Sequence, residues 1–238
     1  MKRYLSLLQK MRSKEKPADP HYVSDYHKHV ESLIKNTPSY DEAMSLAVGG
    51  LYDSVGEGLL GLLLHEGLAD GHTLIDVGCG SGRVPAAITR REILPNLQYF
   101  GTDIVQKLLD YAKTKSRPGF RFQRHLEISI PAENNTADFV SFFSVFTHLL
   151  HEETYLYLQD AARVLKSGGK VVATFLEFEA SHQWPIFEGT VGQYQAKTRP
   201  HLNVFSERRM YKVFAEKLGY DEPVFRDGGQ TVLILRKS

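Results

Sequence analysis

The sequence predicts an α/β fold built on a doubly wound, mostly parallel sheet. The first indication is a short apolar stretch that runs into a glycine-rich loop and then into a helical pattern, all within residues 73–88. The second is that further apolar strand patterns follow, separated by helical patterns, which is the alternation that gives βαβ units. A strand, a glycine loop and a helix in that order begin a nucleotide site in such sheets.

The glycine loop reads D-V-G-C-G-S-G-R, so its glycines have G-x-G-x-G spacing. Glycine allows the backbone to approach a ligand closely, and the helix start adds free N–H groups. A dinucleotide-binding loop has G-x-G-x-x-G spacing instead. Asp76 lies two residues before the first glycine, where its carboxylate would repel a pyrophosphate but would suit a cationic or zwitterionic ligand. Together with Asp76, the expected ligand-binding residues here are Gly78, Cys79, Gly80, Gly82 and Arg83.

In these residues the sequence resembles the class I S-adenosylmethionine (SAM)-dependent methyltransferases, whose first motif commonly reads D-V-G-C-G-x-G. The later string A-R-V-L-K-S-G-G-K-V-V is similar to the R-V-L-K-P-G-G that precedes the fifth strand in that family. The resemblance covers residues 50–175 well. It implies a Rossmann-like three-layer domain with a seven-stranded sheet whose last strand is antiparallel. It also implies SAM as the cofactor and S-adenosylhomocysteine (SAH) as the product.

The resemblance implies one domain with additions. We expect residues 49–238 to form the methyltransferase domain, and residues 1–48 to form a helical N-terminal extension. Residues 177–205 show no regular hydrophobic period and carry the single tryptophan, so we interpret them as an acceptor-side insertion. An apolar stripe at Tyr4, Leu7, Leu8 and Met11 predicts a helix that packs on its own domain rather than on a membrane or a partner.

Composition limits the classes of function. The chain of 238 residues has a net charge of +1, which gives no indication of nucleic acid as a partner. No apolar run approaches the ~20 residues that span a membrane. A single cysteine, Cys79, rules out an internal disulfide framework and fits a cytoplasmic location. We interpret Cys79 as a small packing residue. The oligomeric state stays open, with a homodimer as one possibility.

The second strand pattern ends in an acid at the position expected for ribose binding. Asp103 follows Gly82 by 21 residues, close to the ~20-residue offset at which an acid reaches ribose hydroxyls in such folds. A carboxylate accepts two hydrogen bonds from a cis-diol, although Asp103 also suits the cap of the next helix. Ile104 would then lie against adenine. The family usually has an aspartate near the adenine amino group, and this sequence has Leu126 there, preceded by His125, so backbone groups or His125 would hold the base.

The acceptor side is expected at the end of the fourth strand, because ligands in open α/β sheets lie outside the carboxyl ends of the strands. This places His148 at the site, together with Ser144, which we expect to bind the cofactor. His148 is the candidate general base, since imidazole titrates near neutral pH; the alternative is a histidine bonded at a helix start. Glu177 is expected to orient that imidazole or to bind the acceptor. His151, His182 and His201 are weaker candidates, and no carboxylate pair suggests a metal.

We therefore predict a SAM-dependent methyltransferase that acts on a small-molecule or glycan acceptor, at a hydroxyl group. Two other classes stay open. One is a non-catalytic SAM-binding module that regulates a partner. The other is an NAD-binding oxidoreductase, against which the glycine spacing and Asp76 both argue.

Overall fold

The structure, a computed structural model, describes residues 23–198 and 203–238. The predicted N-terminal stripe at residues 4–11, together with His21 and His201, lies outside the described residues.

A single eight-stranded sheet organises the fold. Its strands are β1 (Thr73–Val77), β2 (Gln98–Asp103), β3 (Arg121–Arg124), β4 (Ala137–Phe142), β5 (Leu165–Glu177), β6 (Phe205–Ser206), β7 (Val224–Arg226) and β8 (Thr231–Arg236). The order across the sheet is β3-β2-β1-β4-β5-β8-β7, and the two-residue β6 pairs only with the end of β5. The strands β1 to β5 pair in parallel, whereas β8 runs antiparallel to both neighbours. The predicted fold class is confirmed, with β6 as a short addition to the seven predicted strands.

Helices cover both faces of this sheet. They are α1 (Val23–Asn36), α2 (Tyr40–Leu46), α3 (Tyr52–His65), α4 (Arg83–Arg91), α5 (Gln106–Lys115), α6 (His151–Val164), α7 (Trp184–Gln195) and α8 (Arg208–Leu218). Successive strand residues point to opposite faces. On one face of the sheet, the core contains Leu74 and Phe139 of the strands together with Leu60 and Leu63 of α3. On the other face, under α6 and α8, the core contains Ile75, Val140, Leu158 and Tyr211. The result is three layers, with the core divided by the sheet.

The strand order reverses between β1 and β4, which lie side by side in the middle of the sheet. Loops that follow neighbouring strands on either side of such a reversal run in opposite directions and leave a crevice at the carboxyl edge. The glycine loop follows β1, and Ser144 and His148 follow β4. The topology therefore brings these two predicted parts of the site to one crevice.

The two N-terminal helices pack over α5 and over the glycine loop. Met44 and Val30 form an apolar cluster with Leu108 and Tyr111 of α5. Ser81 of the glycine loop donates a hydrogen bond from its hydroxyl to the Met44 carbonyl at 2.9 Å. Since α1 and α2 cover the crevice directly, the predicted boundary at residues 48 and 49 stays a prediction.

The predicted insertion at residues 177–205 contains a helix that the sequence pattern did not indicate. Residues 184–195 form α7 after a short 3-10 turn, and none of its side chains is buried. A helix without a core-facing side shows no 3.6-residue apolar period, so hydrophobic patterning could not reveal it. Pro185 suits the first turn of this helix, where a missing N–H costs little.

Candidate functional site

The crevice at the switch point is a cavity of about 990 Å³, which is at the upper end of the usual range for small-molecule sites. It is bounded by the loops after β1, β2 and β4, by the β7–β8 hairpin, and by helices α1 to α3. Of the predicted residues, the lining includes Asp76, Gly78, Cys79, Gly80, Arg83, Asp103, Ile104, His125, Ser144 and His148. Three predicted residues are not part of the lining, namely Gly82, Leu126 and Glu177.

The glycine loop is tight on both of its sides. Gly78 and Gly80 have φ values of +69° and +57°, which L-residues with side chains rarely adopt. A Cβ on Gly78 would lie 2.5 Å from Val145, and a Cβ on Gly80 would lie 2.6 Å from Val48. Glycine at these two positions therefore allows Val145 and Val48 to pack directly on the loop backbone.

Gly82 has a packing role, and its predicted contact with a ligand stays a prediction. It precedes α4, and a Cβ there would lie 2.7 Å from the Cβ of Ala112 in α5. Gly82 thus permits α4 and α5 to approach each other, in the way that the last glycine of such loops permits close packing.

Asp76 is a buried carboxylate held by two hydroxyl groups. Tyr99 donates to its Oδ2 at 2.8 Å, and Ser141 donates to its Oδ1 at 2.7 Å. Burial raises the pKa of Asp76 to about 6, although both hydrogen bonds favour the charged form and the nearby charge of Asp103 opposes it. A cation bound in the cavity beside Asp76 would favour the ionised carboxylate.

Asp103 joins the glycine loop to the start of α5. Its Oδ2 accepts a hydrogen bond from the amide of Gly80 at 2.9 Å, and its Oδ1 accepts one from the amide of Val105 at 2.8 Å. Burial raises the pKa of Asp103, against these amide hydrogen bonds, which lower it. Each carboxylate oxygen has two lone pairs, so each keeps one acceptor position for a ligand hydroxyl.

Arg83, at the first position of α4, contributes a positive charge to the lining. One of its terminal nitrogens donates to the carbonyl of Gly50 in the joint between α2 and α3. Burial lowers the pKa of Arg83 to about 10, so it stays protonated at neutral pH. Its Nε is buried and has no hydrogen-bond partner within the described part of the chain. A buried unsatisfied donor beside a cavity is costly unless a ligand accepts from it.

The residues expected near adenine divide into two groups. Ile104 and His125 line the cavity, and the His125 ring bonds Ser129 at 2.8 Å. Leu126 instead packs against the core on the α6 side of the sheet, so its predicted contact with the cofactor is not supported. The amide of His125 donates to the carbonyl of Asp103 at 3.0 Å, which fixes the loop after β3 beside the ribose-binding candidate.

Cys79 is buried, and its amide donates to the Thr102 carbonyl at 2.9 Å. Burial, together with the charges of Asp76 and Asp103, holds the pKa of the thiol well above its usual value. A thiol in this state is a poor nucleophile. The buried position of Cys79 is consistent with the predicted role of a small packing residue in the ligand-binding loop.

His148 lines the cavity after β4 and is half-buried. Its ring meets Tyr26 of α1 edge to face, with 5.2 Å between the ring centroids. Burial raises the pKa of Tyr26 above its ordinary value, with a further contribution from the charge of Asp103. His148 therefore lies in the crevice against α1.

A polar cluster at the carboxyl edge includes two residues, Thr174 and Gln230, that no sequence motif indicated. Ser144, which has a positive φ of +58°, donates from its hydroxyl to Gln230 Oε1 at 3.1 Å. Thr174 of β5 donates to the same oxygen at 2.6 Å and accepts from the Ser144 amide at 2.7 Å. Gln230 lies in the β7–β8 hairpin, 86 positions from Ser144, and no local sequence pattern joins the two.

Glu177 does not serve the predicted role. Arg208 of α8 donates to its two oxygens at 2.7 and 3.0 Å, and Thr231 donates to Oε2 at 2.8 Å. The carboxylate is only 2% exposed and is not part of the cavity lining. Glu177 instead joins the end of β5 to α8 and β8, so it is a structural ion-pair residue.

Metal ligands and membrane spans are both absent from the described residues. Within residues 23–198 and 203–238, no group of three or more His, Cys, Asp or Glu side chains is placed to hold a metal ion. Among the helices described above, none is long and apolar enough to cross a membrane.

Comparison with known proteins identifies the family. Residues 75–173, which contain the glycine loop, Asp103 and His148, match a family model described as a methyltransferase domain. The chain therefore contains a methyltransferase domain over these residues, and its fold is that of the class I SAM-dependent methyltransferases. SAM is accordingly its cofactor.

Solved structures show the same fold at low sequence identity. Magnesium protoporphyrin IX methyltransferase from Synechocystis PCC 6803 with bound SAH is 13% identical, over 92% of this chain and 97% of that chain, with a TM-score of 0.64. The same enzyme with bound SAM is 12% identical, over 94% of this chain and 100% of that chain, with a TM-score of 0.60. A Pyrococcus horikoshii OT3 protein is 18% identical, over 87% of this chain and 99% of that chain, with a TM-score of 0.63.

The cavity fits SAM on its own geometry. Its volume of about 990 Å³ leaves room for a ligand beside Gly78 and Gly80 of the glycine loop, which line it. Asp103 keeps acceptor positions that suit a ribose diol, and the unsatisfied Arg83 Nε suits a carboxylate. These acceptor and donor groups thus match a nucleoside that carries an amino acid.

Proposed function

We propose that the protein transfers the methyl group of SAM to a hydroxyl group of a small-molecule acceptor. One observation carries this proposal: a single cavity is lined by the glycine loop and Asp103 as well as by His148, Ser144 and Gln230. A methyl donor and an acceptor bound in this cavity would meet in front of the carboxyl end of β4.

The cofactor side binds and orients SAM through four groups. Asp103 accepts hydrogen bonds from the ribose hydroxyls, and the Ile104 side chain packs on adenine. The ammonium group of the methionine part is balanced by Asp76, and its carboxylate pairs with Arg83. These roles rest on the residues' place in the cavity lining and on their free donor and acceptor positions.

The reaction requires the protein to align the methyl donor with the acceptor and to provide a group that accepts a proton. When bound, SAM supplies a methyl group that is already activated on a sulfonium. Loss of this methyl group converts SAM into SAH. Orientation of the acceptor can contribute roughly 7–11 kcal/mol to the lowering of such a barrier. An imidazole nitrogen of His148 takes the hydroxyl proton as the oxygen attacks, a step that typically contributes about 10²–10⁴-fold.

The polar cluster positions the acceptor. The Oε1 of Gln230 is occupied by Ser144 and Thr174, which turns the amide NH₂ of Gln230 away from these two hydroxyls. Gln230 lines the cavity, so this NH₂ group donates a hydrogen bond to the acceptor. Gln230 is thus a positioning residue for the oxygen that is methylated.

A screen for transfer of labelled methyl tests the proposal. The protein is incubated with labelled SAM and separate sets of alcohols, phenols, sugars, amines and carboxylic acids. We expect label in a hydroxyl-bearing set, with turnover that falls in His148→Gln and persists in His151→Gln as the matched control. Transfer only to amines or acids would contradict the hydroxyl acceptor. Tight binding of SAH without transfer to any set would favour the non-catalytic module instead.

A further inference from the structure

One face of α3 lines the cavity beyond the cofactor side. Val55, Gly58, Leu59 and Leu62 follow one another at i, i+3, i+4 and i+7, and all four are in the lining. Phe143 after β4 and Val232 of β8 line the same space. We call this part of the cavity the α3 groove.

The α3 groove is distinct from the core-facing side of the same helix. The core side is made by Gly56, Leu60 and Leu63, which are buried, and the two leucines pack on the sheet. In contrast Val55, Leu59 and Leu62 are only half-buried. Leu59 and Leu62 also pack against the core, but both line the cavity as well. The helix therefore carries a second apolar stripe that faces the cavity.

The α3 groove begins at the cofactor loop. A Cβ on Gly56 would lie 2.7 Å from the carbonyl oxygen of Arg83, which shows how closely this end of α3 approaches the start of α4. From Val55 to Glu66, just beyond the helix end, the rise of 1.5 Å per residue gives roughly 16 Å. The groove is therefore long enough for an extended small molecule.

The far end of the α3 groove carries positive charge. Arg226, which lines the cavity, donates to Glu66 Oε1 at 2.6 and 3.2 Å, and Lys170 approaches Glu66 Oε2 at 3.3 Å. Two cations thus surround one carboxylate. Burial alone would raise the pKa of Glu66, but the hydrogen bonds from Arg226 and Lys170 outweigh it, so Glu66 stays ionised and the cluster has a net charge of +1.

We propose that the α3 groove binds the non-reacting part of the acceptor, which is an elongated amphiphile with an apolar chain and an acidic group. The chain packs on Val55, Leu59 and Leu62, and the acidic group pairs with Arg226. The nucleophilic oxygen at the other end then lies beside Ser144 and His148. This inference rests on the proposed function and narrows its acceptor class.

Two glycines of α3 provide a matched test. A Cβ at Gly58 and a Cβ at Gly61 would each meet nothing within 4 Å, but only Gly58 lines the cavity. Replacing a helical glycine favours the helix, so both variants should fold. We expect Gly58→Phe to weaken decanoate binding at least tenfold in isothermal titration calorimetry with saturating SAH, while Gly61→Phe keeps wild-type affinity. SAH itself should bind equally well to all three proteins.

The charged end is tested with a neutral ligand of similar shape. Decanoate should bind the wild-type protein at least tenfold more tightly than decanol, and Arg226→Gln should remove that difference. Equal affinity of the two ligands for the wild-type protein would overturn the role of Arg226. Equal effects of Gly58→Phe and Gly61→Phe would overturn the α3 groove as the binding site.

The remaining outcomes separate this inference from the proposed function. If SAH binds and decanoate shows no saturable binding, the inference fails and the methyltransferase proposal stands. If SAH does not bind, both fail. If Gly58→Phe instead changes the sedimentation coefficient of the protein, the groove is an interface between copies of the chain, and the inference is overturned.

Discussion

The Oδ2 atom of Asp103 lies 2.9 Å from the amide nitrogen of Gly80, and this contact joins the end of β2 to the glycine loop. The same carboxylate caps α5 through Val105. A ligand held by Asp103 is therefore positioned against the loop that borders the rest of the cavity. The two loops that a parallel sheet brings together are coupled by one side chain.

The first prediction concerns this carboxylate. Asp103→Asn removes the negative charge and one acceptor oxygen, so we expect SAH to bind at least tenfold more weakly, equivalent to about 1.4 kcal/mol. Isothermal titration calorimetry measures the change. Glu31→Gln, an exposed carboxylate on α1, serves as the control and should bind SAH normally. Affinity of Asp103→Asn within twofold of wild type would show that Asp103 is only a cap.

The second prediction concerns the pH dependence of stability that Asp76 causes. Its pKa is about 6 in the folded protein and 3.8 in the unfolded chain, so the folded state binds more protons between these values. The free energy of unfolding therefore falls as pH rises through this window, by about 3 kcal/mol in total. Urea unfolding at several pH values measures it, and Asp76→Asn should remove this dependence.

Comparison of the wild-type protein with Asp76→Asn isolates the contribution of Asp76 to stability, because all other titrating groups are present in both. The difference between their free energies of unfolding should change steadily from pH 4 to pH 6 and then level off. A difference that stays constant across this range would contradict a raised pKa at Asp76.

The third prediction concerns His148. Since it is proposed to take a proton during transfer and not to bind the cofactor, His148→Gln should lower kcat by about 10²-fold or more. The Kd for SAH should change less than threefold. Steady-state kinetics with the acceptor identified by the methyl-transfer screen measures the first quantity, and calorimetry the second. Wild-type kcat in His148→Gln would remove His148 as the base.

The fourth prediction separates structure from catalysis at Glu177. Its carboxylate is buried and paired with Arg208, so Glu177→Gln should lower the free energy of unfolding by about 2 kcal/mol. SAH affinity should not change, because Glu177 is outside the cavity lining. Urea unfolding measures the free energy of unfolding, and calorimetry measures the affinity for SAH. Unchanged stability with reduced methyl transfer would restore the catalytic role that the sequence suggested.

The sequence predicted the parts of the site that are local along the chain. The glycine loop follows β1 directly and Asp103 ends β2, so the strand patterns alone place them at the carboxyl edge of the sheet. The pattern of β4 places His148 there in the same way. These positions depend on the order of strands and loops, which the hydrophobic pattern of the sequence predicts.

Other parts of the site depend on contacts that the chain makes at long range. Gln230 meets Ser144 from 86 positions away, and Tyr26 reaches His148 from a helix that precedes the sheet. Glu177 was misassigned because its place at a strand end is visible in the sequence, whereas its partner Arg208, 31 positions later, is not. The helix α7 was missed because no side of it is buried.

The central claim is that the glycine loop with Asp76 and Asp103 selects a nucleoside carrying an amino acid over a dinucleotide diphosphate. Calorimetric titration of the purified protein with SAH and, separately, with NAD⁺ tests it most directly. We expect saturable binding of SAH to one site per chain and no measurable binding of NAD⁺. Binding of NAD⁺ as tight as that of SAH, or tighter, would contradict it.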